Sequence, residues 1–112
     1  MTLEELGRAY DSSSKEQQVY FLARLMKELT IMVRSYYSRT PQIVHSDPDS
    51  GVGVLNEIQH QAARHVTDVL LQQPDRASGN AIIENLMGWA QHGNLERDLT
   101  EALVRAWRLL PL

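Results

Sequence analysis

The chain has 112 residues and a formal net charge of −3, with 43% apolar and 22% charged residues. This length and composition are typical of one globular domain over residues 1–112 and argue against wholesale disorder. Because cysteine is absent, disulfides, thiolate nucleophiles and cysteine-ligated metal sites are excluded, and the acidic balance argues against nucleic acid as a partner.

The first predicted helix is short. Thr2 followed by Glu5 fits a capping box, in which each side chain accepts a hydrogen bond from the backbone N–H of the other residue. Apolar residues then recur every three or four positions to about residue 11. Gly7 costs this helix about 1 kcal/mol relative to alanine, so we expect the helix to depend on docking against the rest of the chain.

The second predicted helix is the longest element of the fold. Ser13 with Glu16, or Ser14 with Gln17, can cap it, and neither glycine nor proline interrupts residues 15–39. Its apolar positions repeat at helical spacing: Val19, Leu22, Leu25, Met26, Leu29, Met32, Val33 and Tyr36.

A loop is predicted from Pro41 to Gly53. Proline disfavours helical geometry in the residue before it, which ends the second helix. The stretch Asp47-Pro48-Asp49 favours a turn. Long loops such as this one are often functional.

The third predicted helix covers about residues 54–73 and ends before Pro74. One face carries an apolar stripe: Leu55, Ile58, Ala62, Val66, Val69 and Leu70. Glu57, Arg64 and Asp68 lie opposite this stripe, and we expect them to be solvated.

Two further helices complete the chain. The fourth contains Ile82 to Ala90 and is predicted to close at Gly93. Asn94 is predicted to cap the fifth, which Pro111 ends. With no period-two alternation anywhere, the sequence predicts an all-α fold, with a four-helix bundle-like core and a short extra N-terminal helix.

No membrane or targeting segment is expected. No stretch approaches the roughly 20 apolar residues that a membrane-spanning helix requires. Residues 1–10 carry acidic groups and lack the basic start and apolar run of a secretory signal. The sequence therefore predicts a cytoplasmic protein.

The E-x-x-H spacing of Glu57 and His60 is the sharpest chemical pattern. Two ligands three residues apart share a helix face, as in di-metal bundles, but such sites need the motif twice and it occurs here once. A solvated pair is the favoured interpretation and a metal site the alternative. No cofactor is expected.

A ligand site is the second hypothesis, with Asn56, Gln59, His60 and His65 as its residues and the loop containing His45 as a cover. Gln59 falls within the apolar stripe, where an amide must find partners. A structural role for Gln59, bridging helices or holding the loop, is favoured over ligand recognition. His65 is expected at the boundary of the same stripe.

Catalytic residues are not predicted. The serine run is explained by helix capping, and no nucleophile elbow or phosphate-binding glycine pattern occurs. Arg97, Glu101 and Arg105 or Arg108 form rows typical of surface salt bridges on the last helix. A non-enzymatic protein is predicted.

The aromatic residues indicate an interface. Trp89 and Trp107 lie off the centre of their apolar stripes, and Tyr36 and Tyr37, like Tyr20 and Phe21, widen the apolar coverage of the long helix. Aromatic side chains are enriched at interface hot spots. Tyr36, Tyr37, Trp89 and Trp107 are therefore predicted to lie in a homodimer interface, and a further protein partner is also compatible with them.

The stretch Leu55-Asn56-Glu57-Ile58-Gln59-His60, together with Phe21-Leu22-Ala23-Arg24-Leu25 and Leu29-Thr30-Ile31, resembles small uncharacterised bacterial all-helical proteins. The resemblance covers about half of the chain. It implies a compact bacterial all-α protein and brings no known activity. It also implies that the polar residues of the first stretch are the first place to look for a site.

Overall fold

The computed structural model describes residues 1–39, 51–71 and 78–110, and their side chains except those of residues 36–39 and 51. In these ranges the chain is all-α, without strands, and its helices are α1 (Leu3–Asp11), α2 (Lys15–Arg39), α3 (Gly51–Leu70), α4 (Gly79–Gln91) and α5 (Glu96–Arg108). The predicted fold class, a bundle-like core with a short N-terminal helix, is confirmed. None of the helices in these ranges has the length and apolarity needed to cross a bilayer.

Capping boxes begin the first two helices. The Glu5 N–H donates to Thr2 Oγ1 at 3.1 Å, and the Thr2 N–H donates to Glu5 Oε1 at 3.4 Å. Of the two caps considered for α2, Ser14 with Gln17 is the one that forms, with reciprocal hydrogen bonds of 3.2 and 3.1 Å. These bonds satisfy N–H groups that have no partner inside a helix.

The long α2 helix packs against α3 on one side and against α5 on the other. The α4 helix joins α3 to α5, and α1 lies across α4 and α5. The core between the helices is apolar, and its largest fully buried side chains are Tyr10, Phe21, Leu6, Leu22, Leu25, Leu29, Leu55, Ile58, Ile82, Leu86, Leu95 and Leu99.

Gly79 lets the start of α4 touch α1 at Gly7. A Cβ atom on Gly79 would lie 2.9 Å from the Cα of Gly7, closer than real carbon atoms approach. The Gly79 N–H also donates to Asp11 Oδ1 at 2.7 Å, so α1 supplies a side-chain cap to α4. Gly7 therefore occurs where α1 docks, in agreement with the predicted dependence of this helix on docking.

The predicted bounds of α3 were wrong at both ends. The helix begins at Gly51 rather than near residue 54, and it ends at Leu70 rather than at residue 73. The early start follows from Val52, which is fully buried, so packing against the core outweighs the low helix propensity of the neighbouring glycines. Most of the predicted loop, and Pro74, lie outside the described residues.

The connection between α4 and α5 also corrects a prediction. Asn94 does not cap α5; it has a positive φ of 54° and lies in the turn that closes the C-terminal end of α4. The Leu95 N–H donates to the Ala90 carbonyl at 2.9 Å, and the Asn94 N–H donates to the Gln91 carbonyl at 3.4 Å. These bonds define a Schellman motif with the left-handed residue at Asn94 rather than at the predicted Gly93.

A buried carboxylate joins α2 to α5. Glu28 is 4% exposed, and its Oε2 and Oε1 atoms lie 3.1 Å from Arg105 Nη1 and 3.4 Å from Arg24 Nη2. The predicted surface row is therefore only partly correct. Arg97 and Glu101 form the expected pair at 3.5 Å, whereas Arg105 turns inward to Glu28.

Candidate functional site

A continuous row of polar side chains lies at the contact between α3 and α4. We call it the polar chain, and its members in spatial order are Glu57, Gln61, Asn85, His65 and Asp68. Gln61 Nε2 donates to Glu57 Oε1 at 3.0 Å, and Asn85 Nδ2 donates to Gln61 Oε1 at 3.2 Å. Asn85 Nδ2 also lies 2.9 Å from His65 Nε2, and His65 Nδ1 lies 3.5 Å from Asp68 Oδ2.

The polar chain corrects the prediction that Glu57 and Asp68 are solvated. Both are partly buried, because α4 packs next to the face of α3 that was predicted to be solvated. His65 is 7% exposed, as expected for a histidine at the boundary of the apolar stripe. Two members of the polar chain, Gln61 and Asn85, were not predicted. The signal for Asn85 is an amide three positions after the buried Ile82 and next to the buried Leu86.

Burial controls the charge of His65. Desolvation lowers the pKa of His65 below its ordinary value of 6.5, and this effect outweighs the nearby Asp68 carboxylate, which acts in the opposite direction. The distance from Nδ1 to Asp68 is too long for a hydrogen bond of ordinary geometry. The imidazole is therefore neutral in the folded protein at neutral pH.

Gln59 bridges α3 and α2. Its Nε2 atom donates to Thr30 Oγ1 at 2.7 Å and to the Met26 carbonyl at 3.2 Å. Thr30 Oγ1 in turn donates to the same Met26 carbonyl at 3.0 Å. The amide thus finds its partners on the neighbouring helix, which is the structural role that the sequence favoured.

Replacing Gln59 with leucine is expected to lower the free energy of unfolding by about 1 kcal/mol, because the substitution removes two interhelical hydrogen bonds. Urea denaturation followed by circular dichroism measures this difference. Asn56→Leu is the matched control, since Asn56 is an exposed residue of the same helix. A Gln59→Leu protein more stable than wild type would contradict the bridging role.

The structure does not bring the predicted ligand residues to one point. Asn56 and His60 are exposed, Gln59 points to α2, and His65 points to α4. No hydrogen bond or ion pair joins Glu57 to His60 in the described ranges, and these ranges contain no group of three or more metal-ligating side chains. His45 lies outside the described residues, so its covering role stays a prediction.

The predicted interface aromatics have different surroundings. Trp107 is half-buried and packs edge-to-face on Phe21, with ring centroids 5.5 Å apart. Trp89 is also half-buried, and its ring centroid lies 5.8 Å from that of His92. The side chains of Tyr36 and Tyr37 are outside the described set. The interface role of these four residues stays a prediction.

Exposed and partly buried apolar side chains gather around Tyr20, where the start of α2 lies near the end of α3 and the residues that follow α5. We call this region the Tyr20 surface: Val19, Tyr20, Ala23, Leu70 and Leu110. Tyr20 is 57% exposed and Leu70 is 55% exposed. They line a groove of about 330 Å³ with Lys15 and Glu16 at its rim. A second groove of about 200 Å³ continues from Tyr20 to Leu110.

The exposure of Leu70 was not predicted, because helical periodicity placed it on the buried stripe of α3. It lies at the last position of the helix, where the stripe extends beyond the side chains that cover it. The Tyr20 surface is therefore the part of the described structure where exposed apolar area most clearly lacks a packing partner.

Comparison of the chain with protein-family models, with curated proteins and with solved structures finds no match.

Proposed function

We propose that this chain is a non-enzymatic helical protein that acts through protein–protein contact, as a homodimer joined at the Tyr20 surface. The observation that carries the proposal is the pair of large exposed apolar side chains, Tyr20 and Leu70, lining one groove. Burying them in an interface removes apolar area from water. Tyrosine is also among the side chains that contribute most to binding energy at interfaces.

The charged residues at the rim of the groove are suited to contact with a second copy of this chain. Lys15 and Glu16 are adjacent, exposed and opposite in charge, and neither forms an ion pair within the described part of the chain. A two-fold interface brings the same patch of both subunits together. Lys15 of one subunit can then pair with Glu16 of the partner subunit, so the patch is complementary to itself.

We expect the wild-type protein to sediment as a dimer at tens of micromolar and Tyr20→Glu to sediment as a monomer, because the added carboxylate would be buried against an apolar surface. Sedimentation velocity measures both. Ile31→Glu is the matched control, since Ile31 is a 50% exposed residue of the same helix away from the groove. It should leave the dimer intact.

Exchanging the charges of Lys15 and Glu16 tests whether a second copy of this chain binds in the groove. Lys15→Glu should weaken the dimer, because it places like charges at the rim. The double variant Lys15→Glu/Glu16→Lys should restore the dimer, since opposite charges again face each other. A strictly monomeric wild-type protein would contradict the homodimer. A dimer unaffected by Tyr20→Glu would contradict the surface.

The proposal also assigns the protein to the bacterial cytoplasm. The absence of cysteine from the chain is compatible with a reducing compartment. The bacterial origin rests on the resemblance of the Leu55-to-His60 stretch to small bacterial helical proteins.

A further inference from the structure

We propose that the polar chain is a proton-sensitive latch between α3 and α4, in which a second proton on His65 breaks the hydrogen bonds that hold Asn85 to α3. The inference rests on the direction in which these hydrogen bonds run. It is independent of the Tyr20 surface, which involves the other side of α3 and the helices α2 and α5.

The Glu57 carboxylate sets the direction of the polar chain. An ionised carboxylate only accepts hydrogen bonds, so Gln61 must present its NH₂ group to Glu57 and its oxygen to Asn85. Asn85 must then present its own NH₂ group to Gln61. The same Nδ2 atom lies 2.9 Å from His65 Nε2 and donates to it. Nε2 is therefore an unprotonated acceptor, and the single ring proton of His65 is on Nδ1.

A second proton on His65 cannot be accommodated by a local change. It would occupy Nε2, so that two hydrogen-bond donors, the Nε2–H group and the NH₂ group of Asn85, would face each other. Turning the Asn85 amide by half a rotation would relieve this contact but would place its oxygen against the oxygen of Gln61. Turning Gln61 as well would place its oxygen against the Glu57 carboxylate. With Glu57 present as a carboxylate, the second proton therefore costs at least one hydrogen bond of the polar chain.

The charged groups around His65 are few in the described ranges. On its own helix, Asp68 favours the protonated ring and Arg64 opposes it. On α4, the neutral amide of Asn85 contacts the ring, and the carboxylate of the neighbouring Glu84 is exposed. The amide of Asn85 is therefore the group that α4 presents to the ring, and its NH₂ orientation disfavours the cation.

Nuclear magnetic resonance on the full-length protein tests the latch. At pH 7.5, we expect ring nitrogen shifts that identify the Nδ1–H tautomer of His65. On lowering the pH, the ring should titrate below its ordinary value of 6.5, and the side-chain amide signals of Asn85 and Gln61 should shift with the same midpoint. The indole N–H of Trp89 on α4 should also follow this midpoint, and that of Trp107 on α5 should not.

The Trp89 signal needs one precaution, because the ring of His92 lies close to it. The titration is therefore repeated in the His92→Gln protein, where a shift of Trp89 that keeps the midpoint of the His65 ring signals no longer comes from His92. Unchanged Asn85 and Gln61 amide signals through the His65 titration would overturn the latch. An Nε2–H tautomer at pH 7.5 would overturn it as well.

The pH dependence of stability gives a second test. Because the folded state lowers the pKa of His65, the unfolded chain takes up the proton first as the pH falls. The contribution of the neutral ring is thus fully present above pH 6.5 and is lost below it, toward the lower pKa of the folded state. Urea midpoints should fall from pH 7.5 to pH 5 in the wild type, and more gently in His65→Gln. The control His60→Gln should retain the wild-type fall, and an equal fall in His65→Gln would refute the latch.

Discussion

Replacing Gly79 with alanine should lower the free energy of unfolding by about 2 to 3 kcal/mol, a typical cost of forcing extra atoms into a packed contact. The new methyl group would meet the backbone of Gly7, including its Cα at 2.9 Å, and backbone atoms cannot rotate away as a flexible side chain can. The α1 helix would have to move, and the hydrogen bond from the Gly79 N–H to Asp11 would lengthen or break. Urea denaturation followed by circular dichroism measures the loss.

Two other glycines serve as controls for this prediction. A Cβ on Gly88, also in α4, would have no neighbour within 4 Å, so Gly88→Ala should raise stability by about 0.5 to 1 kcal/mol through helix propensity. A Cβ on Gly7 would come too close only to the Oδ1 atom of the exposed Asn80 side chain, which can move, and would lie at an ordinary 3.6 Å from the Asn80 backbone N, so Gly7→Ala should stay within about 1 kcal/mol of wild type. A Gly79→Ala protein as stable as wild type would show that α1 does not dock as described.

Replacing Arg105 with methionine should cost about 2 to 3 kcal/mol, because it leaves the buried Glu28 carboxylate with one longer contact, to Arg24. Most of this cost belongs to the uncompensated charge rather than to the ion pair. Adding Glu28→Leu to Arg105→Met should therefore restore stability to within about 1 kcal/mol of wild type. The distinctive result is that the second substitution raises stability, and equilibrium urea unfolding of the wild type and the two variants measures this change.

The exposed pair of Arg97 and Glu101 is the control on the same helix. Its atoms lie 3.5 Å apart, but both side chains remain largely in water. Arg97→Met should change stability by no more than about 0.5 kcal/mol. If Arg105→Met were equally mild, Glu28 would have to reach solvent or other partners in the folded protein.

Helix periodicity predicted the fold class because each apolar stripe is long enough to define a face. Local patterns also predicted the Thr2–Glu5 capping box and gave Ser14 with Gln17 as one of two possible caps for α2, since these residues interact within one turn. The same local reasoning failed at Asn94. Asparagine is favoured both as an N-cap and in the left-handed C′ position, and the hydrogen bonds of Leu95 to α4 decide between them.

The sites depend on contacts that no single helix contains. In the sequence, Glu28 is one charged residue on the long helix. Its ion pair with Arg105 becomes apparent only when α5 is packed against α2. Glu57 and Asp68 were predicted to be solvated because the helical periodicity of α3 does not show where α4 packs. The sequence placed Gln59 within the apolar stripe and His65 at its boundary, but their partners, Thr30 and Asn85, come from other helices.

The docking of α1 has a consequence for the order in which the structure can form. The hydrogen bond between Asp11 and Gly79 spans 68 positions, so α1 cannot dock on α4 until a much later part of the chain has been synthesised, although Tyr10 can already contact Phe21 of α2. By contrast, α2 and α3 are consecutive in the chain and can pair early. The capping box at Thr2 therefore supports α1 locally during the interval before α4 has been synthesised.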